Sequence, residues 1–386
     1  MNKVYILRSS VVSPLGNTNT DNFVNQIDGK HGISVMESHG VSPWKSKFCA
    51  KVTSKSKSTR TVDDIAKIAA ENLVEDFPGV LSNARVIMGT AVGSAVELEY
   101  ERRRNKLPDE SFFSFEKAGI SVSNTIKSSK KPIAVSTGCT AGLDAIGLAF
   151  DRLRLGFEDI VVAGASEATI CEIVVASFDR INALSCAENC DSASIPFCDD
   201  RSGFVIGEGA GLVVMCTDKY IEQSGLEPIA EFLGWESISS NFHMTAIDQK
   251  GTDIATSITK LVKKCNVDPI DIKFVDTHGT STYQNDCAEF AALIGIFGLN
   301  PEIHVTCQKS LNGHALGAAS AIEIANIVEF IRNRKVPGYV NSDRVSSDFK
   351  RLPFTTKPKA VRDGDLFLKI ANGFSGIHST GLIRAL

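Results

Sequence analysis

The order of elements in this chain is written twice, and that constrains the fold more than any single residue does. A β-branched apolar run ending in a small-residue turn, ARVIMGTAVGS at 84–94, has the same form as IKFVDTHGTST at 272–282. A short strand, a small-residue turn and an apolar-periodic helix come next in each case, at 132–156 and at 303–331. DIVVAGASEAT (159–169) then matches DLFLKIANGFSGIHS (365–379) as a buried strand running into a glycine-containing loop, and 203–215 faces 379–386 as a last strand. Strands that read as unbroken apolar runs between helices predict central sheets covered on both faces. The expected fold is a layered α/β architecture of two related halves, 1–225 and 226–386, with the boundary near the polar stretch 217–228. Ligands of such sheets sit where strands end and helices begin, so two facing halves would bring those ends together.

With 386 residues, 43% of them hydrophobic, the chain can form a sizeable core, and a formal net charge of -4 gives no electrostatic case for nucleic acid or an anionic membrane as partner. The opening MNKVYILRSSVVSPLG has too little basic and apolar character for a secretory signal, and no run approaches the ~18 apolar residues of a membrane helix, so a cytoplasmic protein is expected. The ten cysteines sit mostly in apolar runs, and most of them read as reduced core residues. Cys186, Cys190 and Cys198 come nearest to metal spacing, but they lack a neighbouring histidine or a second pair, and no zinc site is expected. GEGAG lacks the GxxxxGK[ST] pattern and leads into a strand, which argues against nucleotide binding. Just before it, Asp200 and Arg201 read as an ion pair bracing a loop.

Cys139 follows an apolar strand and a Thr-Gly turn and immediately precedes an amphipathic helix. At a helix N-terminus, free N–H groups and the dipole favour a thiolate, and a thiolate there can accept an acyl group from a thioester. A small buried cysteine fits the same position. Of the seven histidines (31, 39, 243, 278, 304, 314 and 378), His278 and His314 end strands in glycine-rich turns. A ring so placed can hold one nitrogen against backbone and point the other at substrate, or it can merely satisfy the turn. Lys309 shares the turn of His314, and Glu289 begins the helix after the His278 turn. A buried Lys309–Glu289 pair would hold the two turns in register.

Taken together, GCTAGLDAIG, PFCDDRSGFVIGEGAG, HGTSTYQND, KSLNGHALGAASAIE and NGFSG, in that order, resemble the β-ketoacyl-acyl-carrier-protein synthases of the thiolase superfamily. SPLGNT near the start and HMT at 243–245 extend the likeness over nearly the whole chain. VSTGCTAGLD and HGTSTYQND look most like the catalytic ketosynthase subunit of type II polyketide synthases. The resemblance implies a thiolase-like α-β-α-β-α fold and decarboxylative Claisen condensation of malonyl-carrier protein with an acyl chain held on Cys139. His278 and His314 would complete a Cys-His-His triad, Lys309 with Glu289 would order the site, and Thr280 and Thr282 would hydrogen-bond the phosphopantetheine arm. The backbone N–H groups of Cys139 and Phe374 would form the oxyanion hole, a device in which each fixed donor contributes about 3–4 kcal/mol. Phe374 would also gate the acyl pocket. No cofactor is called for. Where the family's loop usually reads GFGG, this chain has Gly373-Phe374-Ser375-Gly376, and Ser375 stands beside the gate.

The resemblance also implies an acyl carrier protein as partner, with Arg102, Arg103, Arg104 and Lys106 as docking candidates, and a homodimer or a heterodimer with a chain-length-factor homologue. Alternatives are a fatty-acid elongation ketosynthase and a non-catalytic chain-length or scaffold subunit. A degradative thiolase would need a second cysteine in the final glycine-rich loop, and NGFSGIHS has none.

Overall fold

Strands β6 and β8 show why the central runs are apolar at every position. Ile160 and Val162 of β6 (Ile160–Glu167), with Leu212 and Val214 of β8 (Gly209–Thr217), enter one core, while Val161, Ala163, Val213 and Met215 enter another on the opposite face. Side chains alternate across a strand, so a strand packed on both sides must be apolar throughout.

The computed structural model describes residues 1–36, 44–53, 60–77, 79–104, 113–244 and 246–386. His39, Lys106 and Thr245 of the HMT motif lie outside them. The other strands are, in chain order, β1 (Val4–Val12), β2 (Ile33–Val35), β3 (Phe48–Ala50), β4 (Arg85–Gly89), β5 (Ile133–Val135), β7 (Ile206–Gly207) and β9 (Ala230–Ser239). They are followed by β10 (Ile272–Asp276), β11 (His304–Thr306), β12 (Lys335–Val336), β13 (Lys359–Ala360), β14 (Leu366–Gly373) and β15 (Ile377–Ala385). Ten of them form one sheet in the order β11-β10-β14-β15-β9-β1-β8-β6-β4-β5; β2-β3-β7 and β12-β13 are small separate sheets.

Outward from the β1–β9 seam, each half of the large sheet reads antiparallel, antiparallel, parallel, parallel. The halves are therefore equivalent, β4 with β10, β5 with β11, β6 with β14 and β8 with β15. A fifth pair, β1 with β9, has no counterpart in the sequence comparison, and the seam consists of Tyr5 opposite Glu231 and Ile6 opposite Ala230.

Helices Ala141–Arg154 and Ala319–Arg332 form the middle layer, Val62–Asp76 and Lys117–Thr125 cover the outer face of the first half, and Thr252–Cys265 and Tyr283–Phe297 that of the second. The result is the expected α-β-α-β-α stack. Small residues let the middle layer close: a Cβ on Gly142 would lie 2.7 Å from the Ala321 nitrogen, and one on Gly211 would lie 2.4 Å from the Ala321 carbonyl. Leu143 N–H, an orphan donor of the helix start, is satisfied by Ser320 Oγ at 2.9 Å.

The stretch 203–215 departs from the single strand expected. It divides at buried Glu208, whose carboxylate accepts Val52 N–H at 3.0 Å, so Ile206 and Gly207 join β3 while Gly209 onward enters the large sheet. Among the described residues no helix is long and apolar enough to cross a membrane.

Candidate active site

Five residues (136–140) separate β5 from the helix Ala141–Arg154, and they contain a single 3-10 turn, Gly138–Thr140. Gly138 has φ +64° with open space around the position of a Cβ, so glycine is required there for backbone conformation and not for room. Asp144, buried in the first helical turn, clamps this turn. Its Oδ2 accepts the hydroxyls of Thr137 (2.5 Å) and Thr140 (2.8 Å), and its Oδ1 accepts that of Ser379 on β15 (2.5 Å).

Cys139 itself is buried. Burial pushes its thiol up to about 11, against the downward pull of nearby Lys309 and of the N–H groups of Phe374 and Cys139 facing the sulfur; Glu167 adds to the rise. The resting group at neutral pH is therefore the thiol, and the thiolate expected from the helix start is not its ground state. Desolvation outweighs the helix end because the sulfur lies inside the protein instead of at its surface.

The equivalent unit of the second half has a longer connection, twelve residues (307–318) holding the short helix Lys309–Asn312, His314 and a 3-10 turn. The residues around β7 grip it: His314 N–H donates to Val205 O (2.7 Å) and Gly207 N–H to His314 O (2.9 Å). His278 is fixed from another side, since the carboxylate of Glu289 accepts its N–H at 2.6 Å and that of Gly279 at 2.7 Å.

Both rings are held by packing. His278 and His314 meet edge to face with centroids 5.2 Å apart, and Phe204 meets His314 at 5.0 Å. The ring-to-backbone bond expected for them is absent: neither Nδ1 has a hydrogen-bond partner among the described residues. Burial first, and then the charge of Lys309, lowers both imidazoles well below 6.5, so both are neutral at physiological pH.

Lys309 does not pair with Glu289. Its Nζ lies 2.6 Å from Glu323 Oε1, while Glu289 braces the His278 turn and accepts Asn285 Nδ2 at 2.8 Å. The second oxygen of Glu323 lies 2.7 Å from Lys369 Nζ, and Lys369 continues to Asp276 at 2.6 Å. Arg201 and Asp200 likewise part company. Arg201 turns inward to Asp286 (3.5 Å) and to Cys198 O (2.6 Å), whereas Asp200 faces outward to Arg344 (3.0 Å).

A cavity of about 500 Å³ is lined by Cys139, His278, His314, Thr280, Thr282 and Phe374. The two threonine hydroxyls lie 2.8 Å apart. The Phe374 ring stacks on Phe178 at 6.1 Å, and Phe178 meets Phe204 at 5.4 Å, so an aromatic wall runs from the Phe374 loop to His314. Ser375 adopts φ +69°, the left-handed region costly for a residue with a Cβ, and its N–H donates to Met244 O at 2.6 Å. Of the docking candidates, Arg103 is engaged by Glu99 (2.9 Å) and Glu172 (3.3 Å), Arg104 lies over the Tyr100 ring, and Arg102 is exposed; none of the three lines the cavity. Among the described residues no group of three His, Cys, Asp or Glu side chains is placed to hold a metal ion.

Comparison with known proteins names the architecture. Residues 66–220 match the N-terminal domain of β-ketoacyl synthase and residues 229–343 its C-terminal domain. The granaticin polyketide putative β-ketoacyl synthase 1 of Streptomyces violaceoruber is 34% identical over 327 residues, covering 79% of this chain and 77% of that one. The chain belongs to the β-ketoacyl synthase family. A putative polyketide β-ketoacyl synthase 1 of Streptomyces cyaneus is 36% identical over 253 residues, 64% of this chain and 59% of the relative, so that match spans less than two thirds of the relative's length. Among solved structures, a chain from a type II polyketide synthase acyl-carrier protein in complex with its ketosynthase bound to the hexaketide superposes with a TM-score of 0.89 at 30% identity, covering 100% of this chain and 99% of that one.

Three buried groups of this β-ketoacyl synthase escape a reading based on turn residues: Asp144, Glu323 and Lys369. Each is a charged residue inside an otherwise apolar run, as in LFLKIAN and SAIEIANIV. Charges are seldom buried unless paired, so that interruption was the available signal.

Proposed function

We propose that this protein condenses acyl chains with malonyl units on carrier-protein thioesters, as a ketosynthase of type II polyketide assembly. The observation that carries this reading is the single cavity containing a buried cysteine, two neutral imidazoles and the Phe374 N–H facing the cysteine sulfur. In the first step Cys139 Sγ attacks the thioester carbonyl of an incoming acyl chain. Its proton passes to the departing carrier thiolate, and the N–H groups of Cys139 and Phe374 stabilise the oxyanion.

In the second step the malonyl carboxylate leaves as carbon dioxide. The electron pair of the broken carbon–carbon bond is held as an enolate on the thioester, toward which neutral His278 and His314 can donate hydrogen bonds without adding charge at rest. The enolate carbon attacks the acyl carbonyl on Cys139, the new carbon–carbon bond forms, and the thiolate released takes up a proton. Decarboxylation supplies the carbanion, so no cofactor is called for. Thr280 and Thr282 offer paired hydroxyls to the phosphopantetheine arm.

The partners follow from the same reading: an acyl carrier protein, and a second copy or a chain-length homologue. The edge strand β5 supports the latter, because Ala134 is exposed and Ile133 and Val135 are half-buried, whereas β11 at the other edge is covered throughout. Arg102 to Arg104 are retained only as exposed cations for an acidic carrier.

Purified protein supplied with malonyl-carrier protein and an acyl primer should release carbon dioxide and form a ketoacyl product. Folded protein that stays silent with every carrier and partner tried overturns the reading. Successive unreduced extensions favour polyketide assembly, while one extension per cycle favours fatty-acid elongation. A Cys139 that resists both cerulenin and iodoacetamide would point to a scaffold subunit.

A further inference from the structure

Four charged side chains form an unbroken file beside the turns of the two histidines. Lys309, Glu323, Lys369 and Asp276 alternate in sign at 2.6, 2.7 and 2.6 Å, and each is at most 3% exposed. Lys369 is the member that ties three elements together. It sits on β14, the strand that leads into the Phe374 loop, and it reaches Asp276 at the end of β10. It also donates to Thr277 O at 3.1 Å, one residue before His278, and meets Glu323 on the helix that follows His314. The buried ammonium thus donates hydrogen bonds to Asp276 and to Thr277 O and forms an ion pair with Glu323 Oε2. Burial alone would lower Lys369, but Asp276 and Glu323 hold it above the ordinary lysine range, so it carries its charge throughout the working pH range.

We propose that Lys369 is a positioning residue for malonyl decarboxylation: by holding the far oxygen of Glu323 it fixes Lys309, and it places a second buried cation beside the turns that carry His278 and His314. The inference rests on the ketosynthase reading. Other groups act on the same rings. Cys139 shares their cavity, His314 and His378 both act on His278, and Glu289 grips the His278 backbone. The file contributes two cations and two anions, so removing one member changes the net charge near the rings by one, with a sign set by which member is removed.

That sign is the test. The rate of carbon dioxide release from malonyl-carrier protein would be followed from pH 5 to pH 9 for the wild type, K369M and D276N, with fold checked by circular dichroism. K369M removes a positive charge and should move the acid limb upward by about one pH unit or more, while D276N removes a negative charge and should move it downward. A purely architectural role predicts lower rates with the limb unmoved, or shifted the same way in both variants, and either result overturns the proposal. Should K369M not fold, D276N still carries the sign, and an upward or null shift in it is equally decisive. Wild-type protein that releases no carbon dioxide condemns the ketosynthase reading instead, so the two failures are distinguishable.

Discussion

The Cys139 turn and the His314 turn occupy equivalent places in the two halves, yet they are built in opposite ways. Each lies between a three-residue edge strand and a fourteen-residue helix of the middle layer. The first connection is short, carries no ion pair, and is tied by hydroxyls to one carboxylate. The second is longer by a short helix and rests on a buried file of lysines and acids. The matched topology of the halves therefore puts the two connections at equivalent places, while their different lengths give them different contents. A tight turn presents one atom, the sulfur; a roomier one holds a charge beside a ring.

The strongest way to break this comparison is to disable the turns separately. Cys139→Ala should abolish acyl transfer and condensation, by about 10⁴-fold or more, and leave malonyl decarboxylation running, because the second turn is intact. His314→Ala should do the reverse, cutting decarboxylation by about 10²–10⁴-fold while Cys139 still takes up an acyl group. Carbon dioxide release and mass-spectrometric acyl loading read the two steps independently. Parallel loss of both steps in either variant would mean that the halves are not chemically divided.

The two turns are also alike in one respect, and pH exposes it. The cysteine is raised to about 11 and the imidazoles are lowered below 6.5, so between those limits all three groups are uncharged. A cysteine is charged above its pKa and a histidine below it; hence alkylation of Cys139 by iodoacetamide should rise about tenfold per unit from pH 7 to pH 10, as the thiolate fraction does. A rate that is flat across neutral pH would show a resting thiolate–imidazolium pair and move charge into the cavity.

Glu323→Gln tests the support of the histidine turn. It leaves two buried ammonium groups with one carboxylate between them, and breaking a buried pair costs about 3–5 kcal/mol. Denaturant unfolding should show that loss. A change under 1 kcal/mol would mean that the file is not held as an ion network.

Much of this was legible in the chain. Unbroken apolar runs disclosed strands buried on both faces, and the recurrence of strand, turn and helix disclosed the paired order β4, β5, β6 and β8 with β10, β11, β14 and β15. Turn glycines beside Cys139, His278 and His314 marked the cavity because such turns end strands where the halves meet. Partnership was not legible. Glu289 and Glu323 are both acids on helices near Lys309 in the sequence pattern, and only the packing of Ala319–Arg332 against β14 decides that Glu323 is the partner. The state of Cys139 was hidden for a similar reason: a helix start is a local property, whereas desolvation is supplied by the whole fold.

The smallest expected effect lies at Asp144, the counterpart of that support in the first half. Its carboxylate gathers three hydroxyls, from Thr137, Thr140 and Ser379, and so ties the nucleophile turn to β15 a few residues beyond Phe374. Asp144→Ala strands those hydroxyls, but Thr140 Oγ1 keeps the Thr137 carbonyl at 3.0 Å and Ser379 Oγ keeps Ser237 at 3.0 Å, so the loss should be about 1–3 kcal/mol, below that of Glu323→Gln. Because the clamp ties the turn of Cys139 to the strand that follows the Phe374 loop, acyl loading should also fall, while decarboxylation stays near wild type. A variant that loses decarboxylation as much as loading would make Asp144 a support of the whole cavity, and the two turns would no longer have separate foundations.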